Sequence, residues 1–469
     1  MSSVVIRNGR VATAVDCFEA DILVQDGVIR WIGKDLPVGD DVTVHDATGL
    51  LVLPGGVDVH THLDWDFGHA RTADTFETGT RAAAFGGTTC LVDFCNQGEV
   101  SPLAALEDWH ERASTACIDV AAHLILKEVT DQTLIDMREL IQHEGVSSFK
   151  LFTAYPGVFM VDDAAIFKAM RVCRDNDAMT CIHAENGPVI EVLIAEALAA
   201  GHTGPKYHET TRPSLMEGEA AHRVITLSEL AEAPVYLVHV SAQEALAEVT
   251  SARDRGLPVY AETCPHYLFL TKEEYERPEF DAAKFVMTPP LRDCGHQQAL
   301  WRGLRADDLQ VISTDHCPFC FNEQPLGMLY SKQQGKGDFQ KIPNGAPGVE
   351  TRLPLVYDGG VGKNEMTLNR FVQLVATAPA KLFGLYPRKG TIAVGSDADL
   401  VLFDPDETWT IRAAEHHSRI DYSLFEGREV TGRVKKVFLR GETIVDGAEF
   451  TGRPGQGQFI KRGASGVRP

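Results

Sequence analysis

The sequence has no apolar run approaching the ~20 residues that a membrane-spanning helix needs, which argues against a membrane association of that kind. It also has no long run of Lys or Arg, and its 66 acidic residues outnumber its 44 basic ones. A nucleic-acid partner is therefore not expected, because such a surface needs positive charge that follows the phosphates. We interpret the net charge of −22 as a solvated surface rather than as a sign of a cationic substrate.

Cysteine is also scarce, with ten residues at irregular intervals in a chain of 469, too few for a disulfide framework. The first residues show no charged segment followed by an apolar one, as a secretory leader would. Together these features predict a reducing, cytoplasmic location. Cys317 and Cys320 have the spacing of a redox or zinc-ribbon pair, but no second such pair accompanies them, so we interpret them as incidental thiols.

An apolar content of 44% predicts one large core with a satellite domain. Strand-like segments open the chain, with turns predicted at Asn8-Gly9 and Asp26-Gly27, and similar segments lie between residues 398 and 445. We predict that residues 1–52 and 388–447 form one small β-sandwich. Residues 448–469 are rich in Gly, Arg and Pro, which predicts a tail that is mobile or ordered only by a neighbouring subunit.

Between the two ends, short apolar strands alternate with helical stretches, a pattern typical of a parallel sheet with crossover helices. Eight such strands predict an α/β fold, a TIM-type (β/α)8 barrel over residues 53–387, in which function collects at the carboxyl ends of the strands. The predicted strands cover residues 57–62, 89–94, 120–126, 148–153, 180–184, 235–240, 259–262 and 311–315.

Candidate metal ligands lie near the ends of these strands. His60 and His62 are two residues apart in one strand, so their side chains face the same side, and a pair of imidazoles suits zinc and similar metals. A lone histidine on a strand is more often satisfied by a hydrogen bond than by a metal. Order and position strengthen the hypothesis here, because the further candidates all belong to the same inferred barrel: Lys150, His183, His239 and Asp315.

Lys150 is the most informative of these residues, because its strand belongs to the barrel interior, where a bare ammonium carries a large desolvation cost. One interpretation is a buried ion pair with an acid such as Asp315 or Glu185. The other is that carbon dioxide carbamylates the amine and produces a carboxylate that bridges two cations. The residues alone leave both interpretations open.

Several segments together resemble the dihydropyrimidinase and D-hydantoinase group of cyclic amidohydrolases. The likeness extends over nearly the whole chain. The segments that carry it are Gly55-Gly56-Val57-Asp58-Val59-His60-Thr61-His62, Gly86-Gly87-Thr88-Thr89, Ser148-Phe149-Lys150-Leu151-Phe152-Thr153-Ala154-Tyr155, His183-Ala184-Glu185-Asn186, Thr263-Cys264-Pro265-His266, Ser313-Thr314-Asp315-His316-Cys317 and Pro343-Asn344-Gly345.

This resemblance implies hydrolytic ring opening of 5,6-dihydropyrimidines or 5-monosubstituted hydantoins to N-carbamoyl amino acids by a hydroxide held between two zinc or other divalent ions. It implies that one ion binds to His60, His62 and Asp315, the other to His183 and His239, and that carboxylated Lys150 bridges them. Asp315 would also shuttle the proton, and the chain would form a homotetramer.

The same resemblance assigns the substrate contacts. Tyr155 would stabilise the oxyanion, and the main chain of Thr288 and Asn344 would hold the amide edge of the ring. Pro156 replaces a residue that is often charged in the family, and we expect it to bias Tyr155 toward extended backbone angles. Thr288 commonly aligns with serine, a difference that a main-chain contact tolerates. Without the resemblance, Tyr155 would be interpreted as a packed loop aromatic and Asn344 as a turn former.

Four aromatic residues match the family's apolar gate, and they predict space for an apolar ring substituent: Trp65, Phe67, Phe152 and Phe159. Phe152 lies close to its strand, so simple packing explains it equally well. Asp66 departs from the proline usual at that position. Two alternatives remain at this stage. An allantoinase would need polar lid groups, and a non-catalytic interaction protein of this family would have lost the metal ligands, all six of which are present here.

Overall fold

The strands of the molecule fall into two sheets in the computed structural model, which describes residues 3–37, 39, 42–67, 70–322 and 331–465. They are β1 (Ser3–Ala12), β2 (Cys17–Gln25), β3 (Val28–Gly33), β4 (Thr43–Asp46), β5 (Leu51–Pro54), β6 (Gly56–Thr61), β7 (Thr88–Asn96), β8 (Asp119–Ile125), β9 (Ser148–Phe152), β10 (Met179–His183), β11 (Val235–Leu237), β12 (Val259–Thr263), β13 (Val311–Ile312), β14 (Leu400–Thr410), β15 (Glu429–Leu439), β16 (Glu442–Asp446) and β17 (Glu449–Phe450).

Helices connect the barrel strands and cover them on the outside. They are α1 (Phe76–Phe85), α2 (Pro102–Ala113), α3 (Asp131–Glu139), α4 (Asp163–Asp175), α5 (Gly187–Ala199), α6 (Tyr207–Thr210), α7 (Ser214–Ala231), α8 (Gln243–Asp254), α9 (Pro265–Phe269), α10 (Cys294–Ala306), α11 (Arg352–Val356), α12 (Leu368–Val372) and α13 (Ala378–Leu382). Several start on a side-chain cap, as at Ser101 before α2 and Asp162 before α4, which satisfies an otherwise free backbone N–H.

The strands β6 to β13 pair in parallel and in chain order, so the predicted (β/α)8 barrel is confirmed. Every residue of β6, β8, β9 and β10 is buried, as expected for strands of a parallel sheet that is covered on both faces. Each histidine or lysine in such a strand is therefore a polar group placed in the interior.

The barrel closes where its first and last strands meet. Thr61 and His316 form a parallel bridge, and the His62 N–H donates to the His316 carbonyl over 2.9 Å. Deeper in this seam, the buried Arg352 guanidinium donates to the Val57 carbonyl at 2.9 Å and to the Ile312 carbonyl at 3.0 Å. One side chain thus ties the two terminal strands together beneath the candidate ligands.

The two chain ends build a separate nine-stranded sheet in the order β17-β16-β15-β14-β5-β1-β2-β3, with β4 beside β1. The strands of the predicted sandwich are thus joined in one hydrogen-bonded sheet. The predicted Asp26-Gly27 turn is confirmed between β2 and β3. The turn predicted at Asn8-Gly9 is wrong, because β1 continues through it as a β-bulge with Asn8 at φ 61° and its N–H donating to Asp21.

The C-terminal segment differs from the expectation of a mobile tail. Its described part lies against the amino-terminal side of the barrel, where Phe459 bridges Val120 and the Ile460 N–H donates to the Val120 carbonyl at 2.8 Å. Ile460 is buried among the residues that fill the barrel. These contacts are made within one chain, so no neighbouring subunit is needed to order them. Residues 466–469 of the predicted tail lie outside the described part.

All ten cysteines are free thiols, eight of them buried. In the part of the chain that the structure describes, no helix combines the length and apolar character that crossing a membrane requires.

A buried cation joins the end sheet to the barrel. The Lys389 ammonium lies 2.5 Å from Asp119 at the start of β8, 2.9 Å from Asp397 and 2.7 Å from Asp399, and Arg440 contacts Asp119 from the other side. Lys389 and the carboxylates of Asp119 and Asp399 are almost fully buried. Such a network is costly to break, because each partner left behind is a buried charge without compensation.

We predict that Lys389→Met lowers the free energy of unfolding by about 3–5 kcal/mol, because three carboxylates lose their shared cation. Guanidinium unfolding followed by circular dichroism measures the change. Lys461→Met is the matched control, since Lys461 is 61% exposed and pairs with Glu144 at 3.6 Å. The control should cost less than about 1 kcal/mol. Equal losses in the two variants would contradict the importance of the buried network.

Candidate metal centre

The predicted ligands converge at the carboxyl ends of the barrel strands. His60, Lys150 and His183 lie within β6, β9 and β10, and His62, His239 and Asp315 follow the ends of β6, β11 and β13. His239 and Asp315 have positive φ angles of 42° and 48°. A non-glycine residue adopts this conformation at a cost, and it persists only where the surroundings enforce it, as at functional sites.

Three of these residues form the first cluster. The Nε2 atoms of His60 and His62 lie 3.1 Å and 3.2 Å from Oδ1 of Asp315, and the candidate ligand atoms of all three lie within 4.8 Å of one another. Both imidazoles are buried. Two imidazole nitrogens and one carboxylate oxygen are a donor set that suits zinc and similar divalent ions. The first cluster therefore fits a metal ion.

His183 and His239 form the second cluster. Nδ1 of His183 lies 2.8 Å from Nε2 of His239, and both side chains are buried. The ring of His239 is 5.3 Å from the ring of His60, so the two clusters adjoin. The structure thus brings together all four predicted histidines and Asp315 at one point above the barrel.

Lys150 lies against the first cluster, with its Nζ 3.0 Å from Nε2 of His60 and 4.1 Å from the centre of the Phe94 ring. The side chain is 2% exposed, and burial lowers the pKa of its amine. No carboxylate of the described residues lies within ion-pair distance of Nζ, so the ion pair considered with Asp315 or Glu185 is not formed.

Two buried glutamates orient the histidines. Glu185 lies 2.8 Å from Nε2 of His183, and Glu262 contacts Nδ1 of His60 through Oε1. A carboxylate binds the protonated ring nitrogen, so it leaves the lone pair of the other nitrogen free for a metal. Glu262 also accepts from the N–H of His239 at 3.1 Å and from the hydroxyl of Tyr236 at 2.8 Å.

The orienting role of both glutamates was not predicted from the sequence. Glu262 is an acidic residue in the otherwise apolar strand Val259-Tyr260-Ala261-Glu262-Thr263, and Glu185 follows His183 by two residues. A glutamate in a barrel strand carries a desolvation cost just as Lys150 does. This cost was the feature of the sequence from which a role for the glutamate could have been predicted.

A cavity of about 380 Å³ opens above the two clusters. Of the predicted substrate contacts, Tyr155, Thr288 and Asn344 all line it. The hydroxyl of Tyr155 faces Thr288 and Asn344, and burial raises its pKa to about 12. Among the described residues, no backbone–backbone hydrogen bond uses the main-chain N–H or C=O of Thr288 or Asn344. These groups are therefore available to a ligand.

The backbone of Tyr155 contradicts the effect expected of Pro156. Its φ of 63° is left-handed rather than extended. Its carbonyl accepts from the N–H groups of Val158, Phe159 and Met160 at 3.0–3.1 Å. These hydrogen bonds form a tight turn, which outweighs the local preference for an extended conformation before proline.

The four predicted gate aromatics lie together on one wall of the cavity. The ring of Trp65 is 4.0 Å from Phe67 and 5.8 Å from Phe159, and Phe152 lies 5.2 Å from Phe159. Phe152 is also stacked 5.2 Å from His183, so it both packs on a candidate ligand and lines the cavity. Further lining residues that the sequence analysis did not assign to the site are Phe319, Arg212, Ile194 and Cys317.

Comparisons with known proteins agree with this geometry. The model of the amidohydrolase family matches residues 51–444. The chain is 50% identical to a D-hydantoinase of Streptomyces coelicolor, covering 98% of both chains, and 47% identical to a D-hydantoinase of Geobacillus stearothermophilus, covering 98% of this chain and 97% of the relative. The crystal structure of a dihydropyrimidinase from Brevibacillus agri superposes with a TM-score of 0.96 at 45% identity and covers 100% of both chains.

We predict that Glu262→Gln weakens metal binding about 10–100-fold, because the amide no longer fixes the ring proton of His60. Competition with graded concentrations of a chelator, followed by metal analysis, measures the affinity without an activity assay. Glu248→Gln is the matched control, since Glu248 pairs with His222 at 2.8 Å on the surface. Unchanged affinity in Glu262→Gln would contradict the orienting role.

Proposed function

The chain belongs to the amidohydrolase family, and from this membership we propose that it hydrolyses cyclic amides, opening 5-monosubstituted hydantoins or 5,6-dihydropyrimidines to N-carbamoyl amino acids. The observation that carries the proposal is the pair of adjoining ligand clusters at the floor of a cavity with an aromatic wall. Relatives named D-hydantoinase and dihydropyrimidinase support the substrate class.

We assign two divalent ions, with zinc as the first candidate, to the two clusters. His60, His62 and Asp315 would hold one ion, His183 and His239 the other, and carboxylated Lys150 would be shared. When bound, two such ions lower the pKa of a shared water toward neutrality and polarise the amide carbonyl. The donor set supports this assignment, because imidazole nitrogens and a carboxylate oxygen already face one another, with the Lys150 amine beside Nε2 of His60.

The environment of Lys150 favours its carboxylation. Burial lowers the pKa of the amine, which increases its neutral, nucleophilic fraction. The neutral nitrogen forms a bond to the carbon of carbon dioxide and loses a proton, and the product is a carbamate anion. An anion at this position would compensate nearby cations, whereas the unmodified ammonium has no carboxylate within ion-pair distance among the described residues.

The chain's own residues supply the remaining steps. Asp315 accepts a proton from the attacking water as the C–O bond forms, and it passes this proton to the ring nitrogen as the C–N bond breaks. Tyr155 stays protonated near neutral pH because its pKa is raised to about 12, so it donates to the developing oxyanion. The free main-chain groups of Thr288 and Asn344 hold the amide edge of the ring.

The gate aromatics Trp65, Phe67, Phe152 and Phe159 favour an apolar substituent on the ring. An allantoinase is not favoured, because a ureido substituent would need polar partners on this wall. A non-catalytic role is not favoured either, because the chain retains all six expected ligands and its full-length relatives carry enzyme names.

Parallel assays on phenylhydantoin, dihydrouracil and allantoin, with the protein loaded with zinc and bicarbonate, test the proposed function. We expect ring opening of phenylhydantoin, dihydrouracil or both. Turnover of allantoin alone, or of none of the three in protein with full metal content, would contradict the proposal.

We also propose a cytoplasmic homotetramer. The free state of all ten cysteines supports a reducing compartment. Helix α5 exposes Val189 and Val192, at 40% and 56%, and Leu215, the second residue of α7, is 64% exposed. Exposed apolar side chains of this kind support a subunit contact with closed symmetry. Native mass spectrometry measures the number of subunits.

We predict that Lys150→Ala lowers kcat/KM about a thousandfold or more, because losing a bridge between cations removes several kcal/mol of transition-state stabilisation. A short-chain acid such as propionate should restore part of the activity by occupying the same position. Lys127→Ala is the control, because Lys127 follows the neighbouring strand β8 and pairs with Glu99 near the surface. Full activity of folded Lys150→Ala would exclude the bridging role.

We predict that Trp65→Ala changes the ratio of kcat/KM between 5-phenyl and 5-methyl hydantoin by about tenfold, because an apolar wall is removed from the substituent side. Dihydrouracil, which has no substituent, should be affected less. Trp31→Ala serves as the control, since Trp31 is 63% exposed in the end sheet. A uniform change across all three substrates would remove Trp65 from the gate.

A further inference from the structure

Lys332 is a second buried lysine near the cavity, and it does not touch the metal ligands. Its side chain is fully buried. Nζ donates to the Val286 carbonyl at 2.8 Å and to the Pro343 carbonyl at 3.0 Å, and its own N–H donates to the Cys320 carbonyl at 2.9 Å. One residue therefore connects the backbone on both sides of it in its own stretch of chain with the more distant segment at Val286.

Each of these segments supplies a wall of the cavity. Val286 lies two residues before Thr288, Pro343 lies one residue before Asn344, and Cys320 follows the lining residue Phe319. The Val286 carbonyl also accepts from the N–H of Gly345 at 3.1 Å. The groups flanking Thr288 and Asn344 are thus occupied by hydrogen bonds, whereas the main-chain groups of these two residues are left open.

The chemistry of Lys332 is unusual for a purely structural lysine. No carboxylate of the described residues lies within ion-pair distance of its Nζ, and its partners are neutral carbonyls. Burial lowers the pKa of this amine to about 7. A buried amine costs free energy that an apolar side chain would not, so its presence needs another reason. Such a reason is that the amine holds two carbonyls at a fixed separation, which methionine or leucine could not do because neither side chain has an N–H to donate.

We propose that Lys332 is a positioning residue that sets the distance between Thr288 and Asn344 and so shapes the site for the amide edge of the substrate ring. This inference rests on the proposed function, because it requires that the ring binds between these two segments. Lys332 is not among the described residues that line the cavity, so it would not touch a substrate bound there. It acts through the Val286 and Pro343 carbonyls, each of which is one or two residues from a substrate contact.

The kinetic consequence of such a role is specific. The amide edge is held in the ground state and in the transition state alike, so its displacement weakens both equally. A change of that kind raises KM and leaves kcat nearly unchanged. Damage to the metal centre would instead lower kcat and the metal content.

The test compares Lys332→Met, Lys332→Arg and wild type on phenylhydantoin, with metal content and thermal midpoint recorded for each. In Lys332→Met the Pro343 carbonyl loses its lysine donor and the Val286 carbonyl keeps only the N–H of Gly345, and we expect KM to rise about tenfold or more with kcat within about threefold. Lys332→Arg keeps donors for both carbonyls and should recover most of the wild-type KM. Inhibition by acetohydroxamate, a probe that binds metal rather than the amide edge, should be unchanged in both variants.

Lys336→Met is the matched control, because Lys336 is an exposed lysine four residues further along the same segment. An unchanged KM in Lys332→Met, or a loss of kcat and metal without a rise in KM, would overturn the inference. If Lys332→Met does not fold, Lys332→Gln replaces it, with an intermediate KM expected and a wild-type KM contradicting the role. Absence of hydrolysis by the wild type would instead contradict the proposed function itself.

Discussion

A buried amine without a carboxylate at ion-pair distance is the constraint around which the rest of the site is arranged. Lys150 lies in a fully buried strand, where its amine contacts the imidazole of His60 and lies near the rings of Phe94 and Phe152. An ammonium in such a place loses its hydration and gains no ion pair in return. The proposed carboxylation would convert this unfavourable cation into an anion that two divalent ions would hold, so it would account for both the buried amine and the proposed function of the site.

The ligands around this amine are held by a rigid frame. Glu262 and Glu185 fix the proton positions of His60 and His183 from inside the barrel. Arg352 closes the seam beneath the ligands, and the positive φ angles of His239 and Asp315 show that the surroundings outweigh the local backbone preference. The substrate side has a comparable support in Lys332, which ties the backbone next to Thr288 and Asn344. Buried side chains outside the cavity therefore position the residues on both of its sides.

Much of this arrangement was predictable from the sequence, and the exceptions have physical reasons. The eight barrel strands were predicted correctly because short apolar strands alternate with helical stretches, and the candidate ligands were recognised because they interrupt or follow those strands. The bulge at Asn8 was missed because a local turn signal yields to the pairing of β1 with β2 on both sides of it, which joins eight residues of each strand. The φ of Tyr155 was predicted wrongly because three hydrogen bonds to its carbonyl outweigh the following proline. The C-terminal packing and the partners of Lys332 depend on contacts between distant segments, which no local pattern encodes.

The most direct test of the central claim is a crystal structure of active enzyme, prepared with zinc and bicarbonate, with anomalous scattering data collected at the zinc edge. The account predicts density for a carboxylate on Nζ of Lys150 and two anomalous peaks, one beside His60, His62 and Asp315 and one beside His183 and His239. An unmodified ammonium at Lys150 with neither ion present, in crystals of protein that turns over substrate, would contradict it.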